Sequence, residues 1–157
     1  MKKNYSFLII FLFLFSFSYS QTTYYVSTSG DDLNAGTNSA APKLTLGSAV
    51  SAASAGDIID VAAGTYSSDH TINVNKALTI QGASRTTTIF DGSTVGTSPY
   101  NNGFISVTAN NVTIKNMTIQ DYTFTSGSSN QYGGAAIRIG AVPGNSGATV
   151  IVTGLTI

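Results

Sequence analysis

The chain has no cysteine, no tryptophan and no glutamate, a single histidine, and charge on only 9% of its residues. Each absence removes a class of explanation. Without cysteine there is no disulfide framework, so stability has to come from packing and backbone pairing. Without glutamate, and with little lysine or arginine, there is poor material for long solvent-facing helices. Hydrolysis by a pair of carboxylates would have to use two aspartates, and no aspartate pair here carries a supporting motif. Seven basic side chains against seven aspartates form no basic stripe to offset phosphate charge, which argues against a nucleic-acid partner. What is abundant is Thr, Ser, Gly, Ala and Asn, a mixture of β-branched residues and turn-formers.

Residues 1–20 stand apart from the rest. Lys2 and Lys3 precede the apolar run Phe7 to Phe17, and Ser18-Tyr19-Ser20 offers small residues around a cleavage point, the pattern of a secretory signal peptide. A membrane-crossing helix needs about 20 apolar residues, and this run is shorter and broken by Ser16. Cleavage would leave 137 residues beginning at Gln21, with five basic groups against seven aspartates and no transmembrane segment. The expected location is therefore outside the cell or on its surface.

The remaining chain repeats itself. Leu78-Thr79-Ile80, Val112-Thr113-Ile114, Met117-Thr118-Ile119 and Leu155-Thr156-Ile157 echo one another, and L-T-I-Q-G (78–82), V-T-I-K-N (112–116) and V-I-V-T-G (150–154) extend the echo to a polar residue and a turn-former. Alternating side chains in a strand send Leu78 and Ile80 to one face and Thr79 to the other. Short strands are expected over 23–27, 57–61, 71–74, 78–81, 87–90, 104–108, 112–120, 136–139 and 149–157, with Ala63-Gly64-Thr65 as a turn. Between Leu44 and Ala55 the period changes: Leu46, Ala49, Val50 and Ala53 mark one face of a helix, with Thr45 as N-cap and Gly56 as its stop. Recurrent short strands are the signature of a stacked coil. The spacing from Ile80 to Ile114 is 34 residues and from Ile114 to Val152 it is 38, which is longer than regular coils of about 20 to 30 residues. Loops at 92–103 and 125–134 account for the excess. A hairpin architecture would need two-residue turns between matched strands, and only Asn102-Gly103 qualifies. The last echo ends the sequence in mid-strand, so the stack is expected to be truncated at Ile157.

Three segments carry a resemblance: Y-Y-V-S-T-S-G-D-D-L-N-A-G-T (24–37), A-G-D-I-I-D-V-A-A-G-T-Y (55–66) and A-L-T-I-Q-G (77–82). Together they resemble the N-terminal capping region of right-handed parallel β-helix proteins of the pectin-lyase-like superfamily, to which pectate lyases belong. The implied fold is all-β, a right-handed parallel β-helix with one capping α-helix. Its cap covers 23–56 and its coils 57–157, within a domain that starts at 21. The resemblance implies a secreted or cell-surface protein that acts on or binds extracellular polysaccharide; as an enzyme it would be a polysaccharide lyase, such as a polyuronate lyase of pectate or alginate type, or a glycoside hydrolase of the β-helix type. The alternative is a non-catalytic adhesin, structural stalk or carbohydrate-binding module.

Lyases of this superfamily are similar in using a Lys or Arg base, so the resemblance directs attention to Lys115 and Arg138. Both face outward by alternation, and Asp121 follows Lys115 by six positions. No motif fixes either as catalytic, and isolated outward charges on strands commonly solvate or protect an edge. Asp31, Asp32 and Asn34 offer oxygen ligands for calcium in a glycine-bounded loop. A hard cation takes about 6 to 8 oxygens, more than these side chains supply, and turn-shaping by their hydrogen bonds is the preferred reading. Asp57 and Asp60 are read the same way. His70 beside Asp69 has no identifiable nucleophile to activate. Tyr24, Tyr25, Tyr66, Tyr100, Tyr122 and Tyr132 have the chemistry to stack on sugar rings, but at these spacings local packing is the expectation. Asn116 is expected to stack at a bend shared by neighbouring coils, with Gly154 in the matching place one coil later. The Asn111 and Asn116 acceptor tripeptides are assigned no role.

Overall fold

The structure is a computed structural model that describes residues 20–69, 71–94, 104–122, 136–140 and 150–156. The signal-peptide segment, His70, Tyr100, Tyr132 and the 125–134 loop lie outside them. In chain order the elements are β1 (Thr23–Val26), α1 (Leu46–Ala52), β2 (Ile58–Val61), β3 (Gly64–Tyr66), β4 (Ile72–Val74), β5 (Thr79–Gly82), β6 (Thr88–Asp91), β7 (Ile105–Val107), β8 (Val112–Gln120), β9 (Ile137–Ile139) and β10 (Val150–Thr156). The fold is mostly β with a single helix among the described residues.

Every named strand pairing is parallel, and no strand pairs with its sequence neighbour except β1 with β2, which flank the helix. Three ladders result. One runs β1-β2-β5 and on to the first part of β8, which pairs in turn with β10; a second runs β3-β6 to the last part of β8; the third is β4-β7-β9. Between β2 and β9 the chain visits the three ladders in a fixed rotation. The nine-residue β8 serves two ladders because it bends at Asn116, whose φ of 60° turns the strand through a left-handed conformation that asparagine tolerates. The hairpin alternative is thereby excluded for these strands.

Register stacks like on like. Ile59, Ile80 and Ile114 are aligned and fully buried, as are Val74 and Val107 in the third ladder. Replacing one such isoleucine by alanine is a change that costs about 2–5 kcal/mol in a packed core. A row of rings crosses this core: Tyr66 to Phe90 at 5.0 Å, Phe90 to Phe104 at 5.1 Å and Phe104 to Tyr122 at 4.3 Å between centroids. Ile139 and Val152 occupy inward positions by register yet are 52% and 41% exposed, because β9 and β10 are the last rungs of their ladders among the described residues.

Two details differ from expectation. Ala63-Gly64-Thr65 is not a turn: Gly64 opens β3, and a Cβ there would lie 2.7 Å from the Thr28 methyl carbon. That glycine marks a close approach within a strand, which a local turn signal imitates. The helix keeps Thr45 as N-cap, accepting from the Ser48 N–H, but stops at Ala52 rather than running to Ala55. Beyond it, Asp57 takes the Ser54 N–H at 2.7 Å and Lys76 takes the Ala53 carbonyl at 2.6 Å, which draws the chain out of the helical path.

The free edge of β1 is covered by the 30–43 loop rather than by the helix. Tyr25 donates to the Gly36 carbonyl, Lys43 donates to the Tyr25 carbonyl, and Ser27 donates to the Lys43 carbonyl, at 2.7, 2.9 and 2.9 Å. A helix has spent its backbone groups on itself and offers nothing to a strand edge. Helix α1 instead closes the apolar end, burying Leu46, Ala49, Val50 and Ala53 beside β1, β2 and β4.

Candidate functional site

Parallel rungs lie about 4.8 Å apart, so the outward positions of a ladder form straight rows of side chains. On the first ladder the register aligns Tyr25, Asp60, Gln81, Lys115 and Thr153 in one row. On the third it aligns Asn73, Ser106 and Arg138. Lys115 and Arg138 thus both face outward as expected but stand on different ladders, and the structure does not bring them into one site. Asp121 directly follows the end of β8, with φ 57°.

The 31–36 loop is built around a cation of its own. The Lys43 side chain is buried, and its ammonium donates to the carbonyls of Asp32 at 3.1 Å and Asn34 at 2.8 Å. Gly36, with φ 78°, lets the lysine stem pass: a Cβ there would meet Lys43 Cγ at 2.9 Å. The three proposed calcium ligands are turned to other partners. Asp31 accepts from the Leu33 N–H, Asn34 donates to the Pro42 carbonyl, and Asp32 accepts from the N–H groups of Leu44 and Thr45 and the Thr45 hydroxyl. Slight burial opposes the Asp32 charge, but those hydrogen bonds outweigh it and hold the carboxyl below its ordinary range. Among the described residues no three His, Cys, Asp or Glu side chains converge as a metal-binding group.

Two more carboxylates are structural. Asp57, buried, receives the N–H groups of Thr22 at 2.9 Å and Ser54 at 2.7 Å. Asp69, also buried, receives those of Leu46 and Gly47 at the start of α1. At the other end of the same helix Lys76 holds the Ala53 carbonyl, so a negative and a positive group oppose the helix dipole from distant parts of the chain. Hydrogen bonds from Ser93, its side chain first and then its N–H, and from Gln120 hold the Asp91 carboxyl below its ordinary range.

The tyrosines divide by role. Burial, reinforced by Asp69, pushes the Tyr66 hydroxyl up to about 12, while it donates to the Ala62 carbonyl at 2.9 Å. Tyr122 is raised further, by burial first and then by Asp69 and Asp91. Both belong to the row of rings, Tyr66 buried and Tyr122 partly buried, so local packing is their main role. Tyr24 ties its hydroxyl to the Ala52 carbonyl. A hydroxyl-lined hollow of about 180 Å³ opens between the cap and β3, walled by Thr28, Thr65, Ser67 and Ser68.

Asn116 and Gly154 occupy equivalent left-handed positions in adjacent rungs, and a Cβ on Gly154 would lie 2.7 Å from Asn116 Oδ1. Asn116 does not stack on other asparagines at the bend: glycines, Gly82 and Gly154, take the matching places in the rungs on either side of it.

No protein-family model matches this chain. No curated protein matches it in sequence. Among solved structures it is similar to an alginate lyase of the PL6 family, AlyGC in an arginine-to-alanine variant, with 19% identity and a TM-score of 0.59. The likeness is one of fold. It covers 88% of this chain and 16% of that one, so the chain spans about a sixth of that structure's length.

Proposed function

We propose that the chain is the N-terminal part of a right-handed parallel β-helix, exported by its leader, in a protein that engages extracellular polysaccharide. The observation that carries the reading is the rotation through three parallel ladders, β2-β3-β4 and then β5-β6-β7, each strand in register with one in the preceding turn. Parallel crossovers within a sheet are right-handed in about 98% of cases, which supports the right-handed reading. The structural likeness to an alginate lyase supports a polysaccharide as the ligand class, and the first ladder's row of Tyr25, Asp60, Gln81, Lys115 and Thr153 supplies polar groups along which an extended glycan can lie.

Binding is favoured over a lyase site shared by Lys115 and Arg138, because proton abstraction α to a uronate carboxylate needs a base and a charge-stabilising group together. Lys115 and Arg138 are on separate ladders. The test is affinity electrophoresis of the purified chain through gels containing alginate, polygalacturonate or a neutral glucan, run beside an ultraviolet assay for unsaturated uronate ends. Retardation without product release is the expected result. Free migration in every gel rejects the polysaccharide reading, and release of unsaturated ends by this chain rejects the non-catalytic form of it.

A further inference from the structure

We infer that the corner between the first and second ladders is an anion-binding site for the carboxylates of an acidic polysaccharide, with Arg85 and Lys115 as its cations. The inference rests on the polysaccharide reading and names the substrate class and the place. The described residues hold five cations, and three of them are accounted for. Lys43 fills the 31–36 loop, Lys76 caps α1, and Arg138 lies over Gly140 on the third ladder, its Nε 3.5 Å from where a Gly140 Cβ would be. Arg85 and Lys115 make no side-chain hydrogen bond or ion pair among the described residues.

The fold brings these two to one corner. Gln81 pairs with Lys115, and the chain then leaves β5 through the turn 83–87 before β6 begins. The rung below makes the same corner with Asn116 alone, so the five-residue turn overhangs it. Thr118, just past the bend, donates its hydroxyl to the Arg85 carbonyl at 2.6 Å, fastening the turn to β8 three residues from Lys115. Within the turn Ser84 shares hydroxyl hydrogen bonds with Thr86 at 3.0 Å and Thr87 at 2.8 Å. Arg85 is therefore presented on a held turn, which lowers the ordering cost of binding. Gln81 and Thr118 flank the cations with groups able to bond sugar hydroxyls.

The row through Lys115 carries no aspartate in the rungs on either side of it, where Gln81 and Thr153 stand. Asp60 stands in the Lys115 row but two rungs away, beyond Gln81. That is about 10 Å at 4.8 Å per rung, close to a Debye length in physiological salt. A carboxylate on Lys115 is thus attracted locally and turned away from the Asp60 end.

The test compares the chain with the Arg85→Gln/Lys115→Gln double variant and with Arg85→Lys/Lys115→Arg, using alginate and polygalacturonate in affinity gels at two salt concentrations. Loss of at least tenfold in affinity in the first variant, retention in the second, a weaker salt dependence in the first, and an unchanged thermal midpoint in both are expected. If the neutralised variant binds as tightly as the parent, the corner assignment is overturned while the polysaccharide reading stands. If the parent binds neutral glucan but neither polyuronate, the corner is again overturned alone. If the parent binds no polysaccharide, both fall.

Discussion

Asp69 Oδ2 accepts the Leu46 backbone N–H at 3.0 Å, across 23 residues of sequence, and its other oxygen takes the neighbouring Gly47 N–H at the same distance. A seven-residue helix is too short to persist on its own propensity, so its start is held by a buried carboxylate from the far side of β2 and β3. Asp69→Ala leaves two N–H groups unmatched near the core. The expected loss is about 2–3 kcal/mol, from one charged hydrogen-bonded group removed and its donors stranded. Chemical denaturation of the variant checks this. A change under 0.5 kcal/mol, the range of ordinary surface substitutions, would show that the helix start does not depend on Asp69.

Lys43 supplies the second expectation. Its ammonium holds the Asp32 and Asn34 carbonyls from inside the 31–36 loop, where a bound cation would otherwise sit. Lys43→Met keeps the stem and removes the charge, leaving two carbonyls without their donor. A cost of about 1.5–3 kcal/mol is expected for a hydrogen-bonded charged group, together with faster proteolytic cleavage between Asp31 and Gly36. Calcium should not raise the thermal midpoint of the parent chain, because the ammonium already occupies the loop. A calcium-dependent rise in the parent would instead return Asp31, Asp32 and Asn34 to consideration as ligands.

These two residues also show where sequence reading succeeds and stops. The strands were legible because Leu78, Ile80, Val112 and Ile114 alternate with polar residues, and alternation is a local property. Thr45 was legible as an N-cap for the same reason. The roles of Asp69 and Lys43 are not legible locally, because both act on segments between 9 and 23 residues away. Nothing in local periodicity encodes such a distance. The ring row from Tyr66 to Tyr122 depends on the register of three ladders, and Arg85 gains its neighbour Lys115 only once β5 and β8 pair. Gly64 is ambiguous for a related reason, since glycine gives one signal for a turn and for a tight approach.

Tyr66 predicts the alkaline limit of stability. Its hydroxyl is held protonated in the fold, with a pKa of about 12 against an ordinary value of 10.0. Below the ordinary value the phenol is protonated in both states and stability is intact. As pH rises from there toward the folded value, the unfolded chain releases a proton that the native chain keeps, and stability falls. Denaturant midpoints measured through this window should decline. Tyr66→Phe should flatten the decline while losing the bond to the Ala62 carbonyl at all pH values. An equally steep decline in the phenylalanine variant would assign the effect elsewhere, Tyr122 being the next group to examine.

The closest tolerance in the stack lies at the bend, and glycine substitutions there should separate two kinds of cost. A Cβ on Gly82 would lie 2.1 Å from the Asn116 carbonyl oxygen and 2.9 Å from Thr88 Cβ, so Gly82→Ala collides with backbone that is itself fixed by Asn116 in the left-handed region. The strand would have to part from its neighbour, and the loss should reach or exceed the roughly 1–3 kcal/mol of ordinary overpacking. At Gly154 the obstacle is softer: an added Cβ meets a side-chain oxygen that can move, and the remaining penalty is the left-handed φ of 63°. That costs a non-glycine residue about 1–2 kcal/mol. Gly82→Ala should therefore be the more damaging substitution, even though Gly154 has the less usual backbone angle. The reverse ranking in thermal melts would mean that backbone conformation, rather than rung-to-rung contact, governs the bend.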